Sequence, residues 1–193
     1  MAPLTQTENF QTSSNTRLNR INCERVNSDL LDLPAIVVSS SPEETFTLGL
    51  RIARLLKIGS VVAMRGELGA GKTCMAKGIA RGLGVREEVT SPSYTIVSEY
   101  EGIILNENGT GKDIPVCFFH IDAFRLGGNK DFSDMGGEEI IFGNGISVIE
   151  WSDRIPGFVL DEALTVDIKI EDEKKRLIRV YWGKELPSGE RNS

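Results

Sequence analysis

The chain has 193 residues, 40% of them apolar and 26% charged, with a formal net charge of −6. That length holds one domain with a full core, too short for two of ordinary size, and no apolar run approaches the ~20 residues of a membrane span, so a soluble protein with no membrane role is expected. The acidic balance argues against a surface that grips nucleic-acid backbones unaided. Cys23, Cys74 and Cys117 are odd in number and widely spaced; they suit neither a disulfide framework nor a zinc site, and a reducing, cytoplasmic compartment is expected.

Residues 1–34 are rich in Ser, Thr, Asn and Gln with little apolar periodicity, and read as a flexible polar tail. A targeting leader is the competing reading, against which Glu24, Asp29 and Asp32 count. The folded domain is expected over residues 35–183, with residues 184–193 as a disordered C-terminal tail. It opens with a short strand at 35–38. Ser41-Pro42-Glu43-Glu44 then supplies a capping serine, a proline in the first turn and a glutamate three residues on, which predicts a helix. Phe46, Leu50 and Ala53, with Ile52, Leu55 and Leu56, give that helix an apolar stripe that runs until Gly59. Residues 60–65 form a buried strand, and a helix is predicted over 72–82.

Residues 94–100 and 115–121 read as strands of a hairpin, joined by a polar loop over 102–113. A further buried strand covers 146–150, and residues 164–170 and 177–182 form a closing hairpin around Glu171-Asp172-Glu173-Lys174. Helices and strands in this order predict an α/β fold in which a mixed sheet is covered on both faces.

The strongest chemical signal is Gly66-Glu67-Leu68-Gly69-Ala70-Gly71-Lys72-Thr73. It matches the phosphate-binding G-x-x-x-x-G-K-[ST] pattern and sits between a predicted strand and a predicted helix, where that chemistry requires it. Glycines let successive backbone N–H groups converge on phosphate oxygens, and the following helix adds its positive end. Nucleotide contacts are expected from Glu67, Leu68, Gly69, Ala70, Gly71, Lys72, Thr73 and Cys74. Among them Lys72 reaches the terminal phosphates and the Thr73 hydroxyl ligates Mg²⁺. The competing reading is a glycine-rich turn that merely caps a helix.

A metal held this way needs a carboxylate from a neighbouring strand, and both Asp122 and Glu150 end apolar strands. The pattern alone leaves that choice open. His120 is the only histidine. Two positions before Asp122, it shares that residue's face of the strand, which permits a shared role, though a hydrogen-bonded structural residue is the plainer reading.

Four motifs stand in order: the P-loop, Thr90-Ser91-Pro92-Ser93-Tyr94-Thr95, His120-Ile121-Asp122-Ala123-Phe124-Arg125-Leu126, and Ile149-Glu150-Trp151. As an ordered set over about residues 41–181 they resemble the TsaE family, P-loop ATPases of tRNA threonylcarbamoyladenosine synthesis. The resemblance implies a P-loop NTPase-like fold and slow ATP hydrolysis with Mg²⁺. It further implies protein partners, the TsaD and TsaB pair, which install the threonylcarbamoyl group on adenosine 37 of tRNAs reading A-starting codons; tRNA is met only indirectly. It implies Glu150 as the metal-side carboxylate, Asp122 as the residue bearing on hydrolysis beside Lys72, and Thr90 and Ser93 as γ-phosphate sensors.

Phe124 stands where the family usually has tyrosine, so a phenolic hydrogen bond is absent there, and Ser93 stands where threonine is usual. Trp151 reads either as core or as a seal on the nucleotide site, and Arg176 as a solvated strand residue or a nucleotide contact. Two rival functions are a small-molecule kinase, for which the glycine-rich, acidic stretch 126–149 makes a poor arginine-bearing lid, and a nucleotide-gated binding module without turnover.

Overall fold

The computed structural model describes residues 31–91, 95–104 and 112–184. Ser93, Cys23, most of the predicted N-terminal tail, the middle of the 102–113 loop and all of the C-terminal tail after Lys184 lie outside the described residues.

The strands are β1 (Ala35–Ser39), β2 (Val61–Gly66), β3 (Val97–Ile104), β4 (Ile114–Asp122), β5 (Gly145–Glu150), β6 (Leu164–Ile170) and β7 (Arg176–Trp182); the helices are α1 (Pro42–Ala53), α2 (Lys72–Gly82), α3 (Asn129–Ser133) and α4 (Gly137–Ile141). Among the described residues the strands make one sheet in the order β1-β7-β6-β2-β5-β4-β3. Its centre is parallel, β2 pairing with β5 and β6 and β4 with β5, while β3, β7 and β1 join antiparallel. This is the mixed α/β sheet that the sequence predicts. No helix among the described residues is long and apolar enough to cross a membrane.

One face of the sheet, carrying Val62, Met64, Phe118, Val148 and Val166, is buried against Leu48 and Ile52 of α1 and Met75 and Ile79 of α2. The opposite face, with Ala63, Ile121 and Ile149, is covered by Phe132, Ile141, Ile155 and Phe158. That second cover stops short of β1, where Ile36 and Val38 stay 51% and 59% exposed, so the sheet is covered on both faces only in its central part.

Three local differences from the sequence reading have physical causes. Helix α1 ends at Ala53 instead of running to Gly59, because the next amides bond three residues back: Arg54 to Arg51, Leu55 to Ile52 and Leu56 to Ala53, at 2.9–3.2 Å. Such bonds tighten the last turn and reverse the chain towards β2. Its buried side is Thr45, Leu48, Gly49, Ile52 and Ala53, with Phe46 and Leu50 only half-buried. The stripe is rotated because glycines let α1 and α2 touch: a Cβ on Gly49 would lie 2.5 Å from the Met75 carbonyl oxygen, and one on Gly78 2.2 Å from that of Phe46.

Strand β3 starts at Val97 and runs on to Ile104, taking residues assigned to the loop. The Ile103 amide donates to the Leu83 carbonyl at the end of α2 (2.6 Å), which extends the strand beneath the helix. Helices α3 and α4, five residues each, show no sequence periodicity because neither completes two turns.

Candidate nucleotide and metal site

The parallel strands end together. Asp122 on β4 is in register with Glu150 on β5, and Glu150 with Met64 on β2, two residues before Gly66. Functional groups in open α/β sheets collect at such carboxyl ends, and here the β2–α2 loop folds over them.

Gly71 immediately precedes α2 with φ +110°, a left-handed conformation that admits glycine and few other residues. Gly71 at the N-cap makes no side-chain cap bond to α2, so among the described residues its first N–H groups and dipole are open to an anion. A cleft of roughly 260 Å³ lies in front of them. Leu68, Gly69 and Gly71 to Cys74 line its loop side, and Ser91, Asp122, Glu150 and Trp151 the strand side. Of the predicted loop contacts, Ala70 packs its side chain in the core and the Glu67 carbonyl accepts from the Lys72 ammonium; neither residue lines the cleft.

Lys72 is 4% exposed. Its ammonium donates to the carbonyls of Gly66 (2.7 Å) and Glu67 (2.8 Å) and sits 3.7 Å from the centroid of the Trp151 ring. Burial pulls its pKa below the usual lysine value, against the opposing pull of Glu150, Asp122 and Asp153. The Thr73 hydroxyl donates to Glu150 Oε2 at 3.0 Å, and His120 Nε2 meets Glu150 Oε1 at 2.8 Å. Both His120 (0% exposed) and Glu150 (3%) are buried. His120 thus binds Glu150, not Asp122.

Asp122 sits on the more open side. Its Oδ1 accepts the Phe124 amide (3.1 Å) and its Oδ2 accepts the Ser91 hydroxyl (3.3 Å). Ser91 is a wall residue that the sequence reading passes over; Thr90, named instead, is exposed and does not line the cleft. The flanking hydroxyls carry no signal of which one faces inward.

Trp151 has φ +58°, a left-handed value rare for a non-glycine residue, and the turn is tied to β2 by the Ser152 hydroxyl donating to the Met64 carbonyl (3.3 Å). This bend aims the indole under Lys72 and against Phe124, whose ring centroid is 4.9 Å away. The tryptophan is therefore a wall of the cleft, not plain core. Arg176 is a half-buried residue at the start of β7, and its guanidinium donates to the carbonyls of Asp172 (3.1 Å), Glu173 (3.3 Å) and Lys175 (3.2 Å) and reaches that of Gly69 (3.4 Å). Cys74 lines the cleft, yet its thiol donates to the Pro42 carbonyl and burial raises its pKa, so thiolate chemistry is disfavoured.

Among the described residues no three His, Cys, Asp or Glu side chains converge to hold a metal unaided. A hydroxyl paired with a carboxylate beside a phosphate cradle is nevertheless a hard-oxygen donor set suited to Mg²⁺, which takes its other ligands from phosphate and water.

The sequence description "Threonylcarbamoyl adenosine biosynthesis protein TsaE" matches residues 39–178. The chain belongs to the TsaE family. Proteins named tRNA threonylcarbamoyladenosine biosynthesis protein TsaE are similar over much of the chain. The one from Treponema pallidum is 37% identical over 143 residues, 74% of this chain and 97% of that one. The Aquifex aeolicus protein is 37% identical over 155 residues, 78% and 98% of the two chains, and the Bacillus subtilis protein 33% over 138 residues, 72% and 79%. A crystal structure of Bacillus subtilis YdiB superposes with a TM-score of 0.61 at 28% identity, covering 78% of this chain and 86% of that one. The TsaE match spans the β2–α2 loop, Asp122 and Glu150, which line the cleft.

Proposed function

We propose that the chain binds ATP with Mg²⁺ and hydrolyses it slowly, and that this turnover serves threonylcarbamoyladenosine formation on tRNA by acting on the TsaD and TsaB pair in the cytoplasm. The observation that carries the reading is the Thr73–Glu150 hydrogen bond at the mouth of an uncapped helix. It couples the phosphate loop to the carboxylate of the strand beside it.

In this reading the loop amides and the N-terminus of α2 bind the phosphates, and Lys72 exchanges its two carbonyl partners for phosphate oxygens. Thr73 donates its proton to Glu150, which leaves the hydroxyl lone pairs for the cation. Bound there, Mg²⁺ would supply neutralisation of charge on the phosphate oxygens. Asp122, its Oδ2 steadied by Ser91, orients the attacking water and accepts its proton. Trp151 and Phe124 keep the floor under Lys72 apolar, which strengthens the electrostatics of the site. The net charge of −6 suits a protein whose partners supply the tRNA contact.

Calorimetry of the full chain with ATP and ADP in magnesium tests the first step, and no heat of binding would end the proposal. Phosphate release is expected without any added acceptor and to rise when the partner pair is present; a requirement for an acceptor would indicate a kinase. Loss of the threonylcarbamoyl mark from tRNA nucleosides after depletion of the protein tests the pathway.

A further inference from the structure

We infer that His120 is a positioning residue that holds the Glu150 carboxylate in the orientation needed to present Thr73 to a divalent cation. The inference rests on the nucleotide-site reading above.

An ionised Glu150 carboxylate only accepts hydrogen bonds, so the His120 nitrogen 2.8 Å from Oε1 must be the one that carries the proton. The other ring nitrogen, Nδ1, is buried with no partner among the described residues. A histidine kept at 0% exposure for packing alone is normally satisfied at both nitrogens, because a buried polar atom without a partner is costly. Here one nitrogen stays without a partner among the described residues while the other is set against Glu150.

The geometry explains what the donor does. Thr73 bonds Oε2 and His120 bonds Oε1, so the carboxylate is gripped at both oxygens and its plane is fixed. Without His120, a buried oxygen lacks a donor. A Glu150 freed to rotate would release the Thr73 hydroxyl that it now holds at Oε2. Groups that orient a metal's protein ligands from behind in this way carry much of a site's metal affinity.

The test is calorimetry of ADP binding to the full-length chain, with magnesium and with EDTA, for wild type, His120→Leu, His120→Asn and His120→Gln. The ratio of the two affinities is the magnesium-dependent gain. His120→Leu and His120→Asn, which place no donor at the imidazole Nε2 position, are expected to lower that gain about tenfold or more while leaving affinity in EDTA unchanged. His120→Gln, whose amide nitrogen reaches that position, is expected to keep most of it. Equal gains in wild type and His120→Leu would overturn the inference, as would losses of the same size with and without magnesium, which mark a structural role. Should the leucine variant fail to fold, the Asn and Gln pair decides, and equal gains in those two count against it. A wild-type chain that binds ADP in neither condition removes the nucleotide-site reading itself, an outcome distinct from any of these.

Discussion

Glu150 and Asp167 stand at nearly the same level of the sheet, on the two strands that flank β2. Glu150 is in register with Met64 and Asp167 with the next residue, Arg65, so they project from opposite faces. Glu150 is 3% exposed and is bonded by Thr73 and His120. Asp167 is a third exposed, accepts the Tyr181 hydroxyl at 2.7 Å and lies 3.9 Å from Arg65. One carboxylate faces a loop that leaves helix amides open; the other ties neighbouring strands. The face a strand residue occupies, and what closes over it, separates a site from a staple.

The sharpest way to break the comparison is to neutralise each member. Glu150→Gln is expected to cut ATP turnover by about 100-fold or more, with little loss of stability, since a buried charge goes with it. Asp167→Asn is expected to leave turnover unchanged. Steady-state phosphate release and urea midpoints measured on both variants check this, and a matched loss of turnover in the two would erase the distinction. Asp122→Asn comes next, at about tenfold to a hundredfold in turnover with nucleotide affinity retained, because Asp122 faces the cleft without touching Thr73. A variant that loses magnesium-dependent affinity instead would assign Asp122 to the metal.

The helix-covered face depends on the close approach of α1 and α2. Gly78→Ala puts a Cβ 2.2 Å from the Phe46 carbonyl oxygen, a backbone group that can move away only with its helix. A loss of about 2 kcal/mol in unfolding free energy is expected. Denaturant unfolding reads it, and a neutral result would mean that the helices separate freely.

The turn between β2 and α2 was legible in the sequence because its pattern is local: glycines, lysine and threonine at fixed spacing dictate the turn and the helix start. The choice between Asp122 and Glu150 was closed to pattern reasoning, since both end apolar strands and are even in register with each other. What decides proximity to Thr73 is that β5, not β4, lies beside β2, and strand order is a property of the whole sheet. The buried side of α1 departs from its apolar stripe for a related reason, as Gly49 counts as weakly apolar in sequence yet marks a close approach of α2. Trp151 joined the cleft through a left-handed turn that no hydrophobic period reports.

The smallest effect belongs to the staple and is read best at alkaline pH. Burial raises the Tyr181 pKa well above the usual tyrosine value of 10.0, and the hydrogen bond to Asp167 and its charge act in the same direction. A group whose folded pKa is raised contributes stability in full below its unfolded pKa and loses it as pH climbs. Above about pH 10 the unfolded chain releases the Tyr181 proton while the folded chain keeps it, so rising pH favours unfolding. Tyr181→Phe is expected to cost about 1 kcal/mol near neutrality, where the bond to Asp167 is intact. It should also remove this part of the alkaline decline, so the two proteins converge in stability between about pH 8 and about pH 11. Urea midpoints across that range measure the convergence. Parallel curves would mean that Tyr181 ionises as freely in the fold as outside it, and that Asp167 holds the strand hairpin without help from the phenol.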